Sequence, residues 1–205
     1  MDLKGVGRRE YKNVIGNSPK AFNNIFYRRG NLMIHRCIMI FTHFTNQEMI
    51  EKIRKIYDPL YGYVDPHITL VFPFKSSIAT CELEGHIRKS IRHIKQFELT
   101  LQGITIEKGN YMFLNITKGT ESLVELHKQL YTEILSDYYP DFLKTTNYKP
   151  HLTLGRTKDS NELDEAYKNC EILVEFFAER ITDVTVEIID ENEKSEIEMT
   201  IELCK

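Results

Sequence analysis

The stretch Pro-His-Ile-Thr-Leu at residues 66–70 returns almost unchanged as Pro-His-Leu-Thr-Leu at residues 150–154. The two histidines of these pentapeptides, His67 and His151, lie 84 residues apart in a chain of 205. From the residue composition, roughly 0.1 copies of a His–apolar–Thr–apolar tetrapeptide are expected by chance. Two copies therefore indicate an internal repeat.

Each copy of the repeat has the pattern of a short β-strand. Because residues i and i+2 of a strand point to the same face, His67 and Thr69 share one face, and the apolar residues share the other. The same alternation places His151 beside Thr153. If the two strands pack as a pseudo-twofold pair, both His/Thr faces line one cleft.

Segments around the repeat alternate between strand and helix patterns, and residues 108–110 (Lys-Gly-Asn) are typical of a tight hairpin. Strand patterns cover residues 37–44, 67–72, 97–106, 111–116, 151–154, 182–189 and 196–203, and helix patterns cover residues 46–58, 80–95, 120–135 and 161–176. This order predicts an α+β fold that is bilobal, with two pseudo-twofold-related lobes of antiparallel sheet. The helices lie outside, and a central cleft carries both motifs.

Composition fits a folded domain, because 41% of the residues are hydrophobic and 11% aromatic. The net charge of −3 does not by itself indicate a nucleic-acid or membrane partner. The 4 cysteines have no C-x-x-C spacing, which favours reduced thiols in the cytoplasm over a disulfide scaffold. With no long apolar run and no secretory h-region, we expect a cytoplasmic protein without a membrane partner. No obligate protein partner is evident.

Positive charge is concentrated at the N-terminus. Residues 1–36 hold eight Lys and Arg against two Asp and Glu, and we interpret them as a basic N-terminal extension. Residues 37–205 then form a single bilobal domain. The extension could contact a polyanion, although a solvated terminus is the more common explanation of such a segment.

Two imidazoles on opposite sides of a cleft suit an in-line displacement at phosphorus. One histidine removes a proton from the attacking oxygen and the other protonates the leaving oxygen. Histidine suits both tasks because its ordinary pKa of roughly 6.5 allows either form near neutral pH. The hydroxyls of Thr69 and Thr153 can donate hydrogen bonds to the non-bridging phosphate oxygens. This chemistry requires neither a metal nor another cofactor.

The two tetrapeptides and their flanks at residues 66–74 and 149–156 resemble the signature of the 2H phosphoesterase superfamily, in particular its 2′-5′ RNA ligase-like and RNA 2′,3′-cyclic phosphodiesterase branch. The resemblance covers about residues 35–205. It implies a metal-independent phosphodiesterase that hydrolyses 2′,3′-cyclic phosphates or 2′-5′ linkages in RNA processing, with reverse 2′-5′ RNA ligase activity in some members. It also implies catalytic roles for His67 and His151, phosphate binding by Thr69 and Thr153, and RNA ends or nucleotides as substrates.

Three alternatives stay open at this level. The histidines could be structural residues at strand ends, each satisfied by a backbone partner. They could bind zinc, but catalytic zinc usually has three protein ligands and no third candidate stands at a fixed spacing. The domain could also be a non-catalytic module that holds RNA ends or nucleotides in the same cleft.

Four further residues are candidates for substrate binding: Arg156, Lys149, Tyr63 and Tyr148. Arg156 could pair with phosphate, but strict alternation points it away from His151 unless a bulge intervenes, for example at Gly155. Lys149 stands two residues before His151, so its side chain points toward the cleft as well if the strand begins early. The two tyrosines lie in Pro/Gly-containing loops, where an aromatic ring could stack on a base.

The remaining histidines are assigned structural or surface positions. His43 lies at the end of the first strand, where a turn begins, and could reach the rim of the cleft. His86 and His93 lie on a predicted helix and are interpreted as surface residues. His127 lies beside the apolar stripe of its helix and is interpreted as structural.

Overall fold

The computed structural model describes residues 33–170 and 175–205. Predictions for the basic extension up to residue 32, and for residues 171–174, lie outside the described residues. The strands are β1 (Ile34–Phe41), β2 (His67–Ser76), β3 (Phe97–Glu107), β4 (Tyr111–Lys118), β5 (Leu152–Arg156), β6 (Phe177–Ile181), β7 (Asp183–Ile189) and β8 (Ser195–Glu202). The helices are α1 (Glu48–Tyr57), α2 (Thr80–Ile91), α3 (Thr120–Leu130) and α4 (Ser160–Cys170), with short 3₁₀ helices at Glu133–Tyr138 and Asp141–Lys144.

The strands form two antiparallel four-stranded sheets of equivalent order. The first sheet has the order β2-β1-β7-β8 and the second has the order β5-β4-β3-β6. Each motif strand, β2 or β5, is an edge strand that pairs with the strand before it in its own half of the chain. The α+β fold with two antiparallel sheets and outer helices, predicted from the sequence, is confirmed.

Helices are exchanged between the two sheets. Helix α1 lies between β1 and β2 in the chain, yet it packs on β5 of the second sheet. Helix α3 lies between β4 and β5, yet it packs on β2 and on α2. As a result, each motif strand is covered by a helix from the other half of the repeat, and the buried residues form one hydrophobic cluster.

Periodicity in the sequence accounts for most of this core. Leu99 and Leu101 of β3 are fully buried at alternate positions, while Leu123, Leu126 and Leu130 of α3 are fully buried at helical spacing. The predicted hairpin between β3 and β4 is also present.

The hairpin depends on two residues with positive φ. Gly109 has φ of 86° and Asn110 has φ of 64°. Glycine enters this left-handed region freely and asparagine tolerates it, so the turn closes with little strain. The sequence signal at residues 108–110 was therefore sufficient to locate the turn.

Several element boundaries differ from the sequence prediction, and two differences change which residues belong to the core. β1 begins at Ile34 and not at residue 37, so Arg36, counted with the basic extension, is fully buried and pairs with Glu198 at 2.7 Å. β6 was not predicted, because the helix pattern was continued to residue 176. Its buried residues Phe177 and Ile181 are four positions apart, a spacing that fits a helix face as well as a strand face.

Candidate active site

The two repeated pentapeptides meet where the sheets adjoin, because the edge strands β2 and β5 lie in contact. His67 begins β2 and His151 immediately precedes β5. Both histidines and both motif threonines are half-buried, whereas the apolar residues between them are fully buried in the core. The predicted alternation therefore exposes the His/Thr face of each strand and buries the opposite face.

The backbone leading into His67 is fixed by three consecutive carbonyls at residues 64–66. The first accepts a hydrogen bond from Arg54 Nη2 at 2.8 Å, and the second accepts one from His67 Nδ1, also at 2.8 Å. The third accepts from the backbone N–H of Thr42 at 3.0 Å. Arg54 is itself fully buried in α1, so the loop before His67 is anchored on that helix.

His151 is held by an equivalent bond and by an aromatic contact. Its Nδ1 lies 2.8 Å from the carbonyl oxygen of Lys149, two residues earlier, as His67 Nδ1 lies from that of Asp65. The His151 ring stacks on Phe113 of β4 with a centroid distance of 3.7 Å. His67 instead meets Phe41 edge-on, with centroids 6.3 Å apart.

The carbonyl partners determine which nitrogen of each imidazole carries the proton. A carbonyl oxygen only accepts hydrogen bonds, so Nδ1 of each neutral ring must carry the hydrogen. Nε2 of His67 and of His151 is then an acceptor in the neutral ring and a donor in the protonated ring. Backbone partners thus satisfy one nitrogen of each ring, as the structural alternative expected, and these hydrogen bonds do not use Nε2.

The pKa of each imidazole is displaced, and burial is the largest cause in both. Burial lowers the pKa of His67 below its ordinary value, and the nearby charges of Arg54 and His151 lower it further, against the opposing effect of Asp58 and of the carbonyl hydrogen bond. Burial also lowers the pKa of His151, opposed by its carbonyl hydrogen bond and by the carboxylate of Glu107. The electrostatic effect of His151 on His67 reflects the proximity of the two rings.

A bulge in β5 turns Arg156 toward the His151 face. Phe113 pairs with Thr153, but the next partners along the strands are Met112 and Gly155, so β5 carries one extra residue. The guanidinium of Arg156 then lies 4.9 Å from the centre of the Tyr111 ring. Tyr111 contacts Phe113, the ring on which His151 stacks, and this gives a continuous row from Arg156 to His151.

The other predicted binding residues have different surroundings. Lys149 is exposed, and its Nζ lies 3.9 Å from a carboxylate oxygen of Glu107. Tyr63 is about half exposed, and its carbonyl accepts a hydrogen bond from the backbone of Ser195. Tyr148 is half-buried, and its hydroxyl donates to the carbonyl of Thr69 at 2.6 Å.

Of the remaining histidines, one was assigned wrongly. His86, interpreted as a surface residue, is buried, and its Nε2 lies 2.9 Å from the carbonyl oxygen of Leu130. The helix α3, which covers that face of α2, could not be placed there from periodicity alone. His93 is exposed and His127 is buried, as predicted, while the exposed His43 contributes its backbone N–H to Glu179.

Sequence reasoning missed Arg54, Glu107 and Phe113, which set the environment of the two histidines. Phe113 could have been found, because it is an alternate residue of the predicted strand at residues 111–116. Arg54 and Glu107 carry no such signal, since each acts on a residue far along the chain or in another strand.

Within residues 33–170 and 175–205, no group of three or more His, Cys, Asp and Glu side chains could hold a metal ion. Among the helices of this described part, none is long and apolar enough to cross a membrane. A groove of about 500 Å³ lies along β3 and β6 of the second sheet, and no motif residue lines it. It is lined by Glu98, Leu99, Thr100, Lys118, Phe176, Ala178, Glu179 and Arg180.

Known proteins resemble this chain in both sequence and fold. The model of a family described as the 2′-5′ RNA ligase superfamily matches residues 42–190. A Bacillus licheniformis protein named "Putative phosphoesterase" is 27% identical over 134 residues, which are 61% of this chain and 72% of that protein. A protein of the same name from Geobacillus kaustophilus is 26% identical over 153 residues, 70% of this chain and 82% of that protein.

Crystal structures of E. coli LigT share the fold. The match to the apo form has a TM-score of 0.57 at 16% identity, and it covers 84% of this chain and 99% of the LigT chain. The form complexed with 3′-AMP has a TM-score of 0.58 at 14% identity, with the same coverage.

Proposed function

The chain belongs to the 2′-5′ RNA ligase superfamily, and we propose that it is a metal-independent phosphodiesterase acting on a 2′,3′-cyclic phosphate or a 2′-5′ phosphodiester of RNA or of a nucleotide. One observation carries the proposal. Two imidazoles on adjoining edge strands each use Nδ1 for a backbone carbonyl and keep Nε2 for proton transfer. Simple binding of a phosphate does not require two groups that both exchange protons.

In the proposed hydrolysis, a water oxygen attacks phosphorus in line with the leaving 2′ or 3′ ribose oxygen. The neutral imidazole accepts the water proton as the new P–O bond forms, and the protonated imidazole donates its Nε2 proton to the leaving oxygen as the old bond breaks. The hydroxyls of Thr69 and Thr153 donate to the non-bridging oxygens, where charge develops. Ligation follows the same course with the 5′-hydroxyl of a second RNA end in place of water: its oxygen attacks the 2′,3′-cyclic phosphate as the bond to the 3′ oxygen breaks, and a 2′-5′ bond remains.

The charges around each ring suggest which one acts as base. The cation of Arg54 disfavours a proton on His67, against the opposing carboxylate of its ion-pair partner Asp58, while the carboxylate of Glu107 favours a proton on His151. We therefore assign His67 as the base and His151 as the acid in hydrolysis. In ligation the roles are the same, because the 5′-hydroxyl takes the place of water as the attacking group.

A nucleotide with its phosphate at the ribose 2′ or 3′ position is the proposed substrate class. The E. coli relative of similar fold has been crystallised with 3′-AMP, which carries such a phosphate. In this chain Arg156 and Lys149 are exposed cations beside the second motif and provide charge for the phosphate or for an adjacent RNA phosphate. Tyr111 and Tyr63 are the aromatic rings available for a base.

Turnover in EDTA tests the proposal. Wild type is assayed with 2′,3′-cyclic AMP and with a 2′-5′-linked diadenosine, beside His67→Ala, His151→Ala and the control His93→Ala, whose side chain is 54% exposed. We expect wild type and the control to cleave at least one substrate. We expect each motif variant to lose roughly 10²–10⁴-fold in kcat, the usual scale for general acid and base groups.

Two outcomes would contradict the proposal. Motif variants that turn over as fast as wild type, with unchanged melting temperatures, would exclude the two-histidine mechanism. The second outcome is a wild-type protein that binds the nucleotides but cleaves neither them nor a longer 2′-5′-linked RNA. That result would favour the non-catalytic binding module.

A further inference from the structure

One hydrogen bond ties the loop of the second motif to the strand of the first. Tyr148 lies between the 3₁₀ helix Asp141–Lys144 and β5, three residues before His151. Its hydroxyl donates to the carbonyl oxygen of Thr69 at 2.6 Å. The partner is thus the backbone of the motif threonine in β2, two residues after His67.

The ring of Tyr148 is held as firmly as its hydroxyl. It stacks on His127 of α3 with a centroid distance of 3.8 Å and an interplanar angle of 5°. His127 Nδ1 lies 2.7 Å from the carbonyl oxygen of Leu70, the residue after Thr69. The stacked pair therefore binds two consecutive carbonyls of β2, and one face of the tyrosine ring is already occupied.

The path from Tyr148 to the imidazole of His151 is short and stiff. Pro150 fixes its own φ and restricts the backbone of Lys149. The carbonyl of Lys149 is in turn the acceptor for His151 Nδ1. A displacement of Tyr148 would consequently be passed on to the ring of His151.

The hydroxyl is also a permanent donor. Burial raises the pKa of Tyr148 well above its ordinary value, so the group stays protonated across the pH range of a histidine-dependent reaction. A hydrogen bond shielded from water is electrostatically stronger than one at the surface.

We propose that Tyr148 is a positioning residue that fixes the separation of His67 and His151 through its hydrogen bond to Thr69. The inference rests on the proposed function, and it replaces base stacking as the role of this tyrosine. Tyr148 acts on the reaction through the backbone of both motifs and does not itself contact the substrate.

Removal of the hydroxyl alone tests this role. Tyr148→Phe keeps the ring and its stacking on His127, and Tyr131→Phe is a matched control, since the hydroxyl of Tyr131 accepts from the backbone N–H of Phe72 in the same strand at 2.9 Å. We expect Tyr148→Phe to lower kcat roughly 10–100-fold with KM within about twofold, because small misplacements of reacting groups cost up to about 10² in rate. Tyr131→Phe should change kcat less than about threefold at a similar loss of melting temperature.

A second measurement does not depend on turnover. NMR titration of the imidazole Cε1–H signals should show the pKa of His151 rising toward its ordinary value in Tyr148→Phe, as water reaches the loosened ring, but not in Tyr131→Phe. Equal behaviour of the two variants in both measurements would overturn the proposal. So would a normal kcat in Tyr148→Phe combined with a raised KM in Tyr148→Leu, which would indicate stacking on the substrate. Absence of turnover in wild type would instead refute the proposed function, and the titration would still decide the role of Tyr148.

Discussion

The strands β2 and β5 carry the same pentapeptide but have different neighbours. Both histidines use Nδ1 for the carbonyl two residues earlier, at 2.8 Å in each case. Beside His67 lies the ion pair of Arg54 and Asp58, whereas beside His151 lies the carboxylate of Glu107. The repeat therefore supplies two histidines with the same backbone partner, and the surrounding charges affect their pKa values differently.

Both strands carry one extra residue directly after the motif threonine: Thr69 and Val71 pair with consecutive residues of β1, as Thr153 and Gly155 pair with consecutive residues of β4. The residues that follow the bulge differ. β5 contains a bulge and then Gly155, where a Cβ atom would lie 2.6 Å from Cβ of Tyr57 in α1. This close approach lets α1 cover β5, and the bulge turns Arg156 toward His151. β2 continues as a strand to Ser76 and has no arginine at the corresponding position. The cation of Arg156 thus follows the second motif at a place where the first has Phe72.

The largest expected effect tests whether the two threonines are equivalent. Thr69→Val and Thr153→Val keep the shape of the side chain but remove a hydrogen-bond donor to the phosphate, so each should lower kcat/KM by about 10². The exposed strand residue Thr117 provides the control Thr117→Val. Steady-state kinetics with a cyclic nucleotide would measure all three. A loss confined to one threonine would show that a single lobe binds the phosphate.

The next effect concerns the stability of the protein and tests the packing of α1 on β5 at Gly155. Gly155→Ala forces a Cβ against Tyr57, with backbone oxygen at 2.8 Å as well, and should cost about 1–3 kcal/mol in free energy of unfolding. Gly85 lies on the exposed face of α2, and an added Cβ would have no heavy atom within 4 Å. Gly85→Ala should therefore raise the free energy of unfolding by about 0.5–1 kcal/mol. Urea unfolding measures both, and equal stability of the two variants would contradict the close packing of α1 on β5.

A smaller effect is expected at Arg156. Arg156→Lys keeps the charge but removes the planar fork that binds two phosphate oxygens, so KM should rise about tenfold while kcat changes little. Arg180→Lys on β6, at the far edge of the second sheet, is the control. An unchanged KM in Arg156→Lys would mean that the bulge does not serve substrate binding.

The smallest expected effect is a shift of the pH profile. The reaction needs one neutral and one protonated imidazole, and both pKa values are lowered from 6.5, so kcat/KM should peak below about pH 6.5 and fall as pH rises further. Glu107 raises the pKa of His151, and Glu107→Gln should therefore move the descending limb about 0.5 pH unit toward acid. Glu98→Gln, a change at an exposed carboxylate paired with Lys118, is the control. A descending limb that does not move would argue against His151 as the acid.

The repeat and its alternation determined the fold class and the four central residues of the candidate site. Strand parity is a local property, so residues 66–70 and 150–154 alone establish that His and Thr face one way and the apolar residues the other. The same alternation also required a bulge near Gly155 if Arg156 was to face the side of His151.

Only the tertiary structure decided what surrounds each motif. The exchange of α1 and α3 between the sheets brings Arg54 to the loop of His67 and His127 to β2, and no local pattern encodes such a crossing. It also turned His86 inward and assigned the hydroxyl of Tyr148 to the backbone of Thr69. These relations join residues up to 79 positions apart, and they arise because each edge strand must be covered by an apolar helix from the other half.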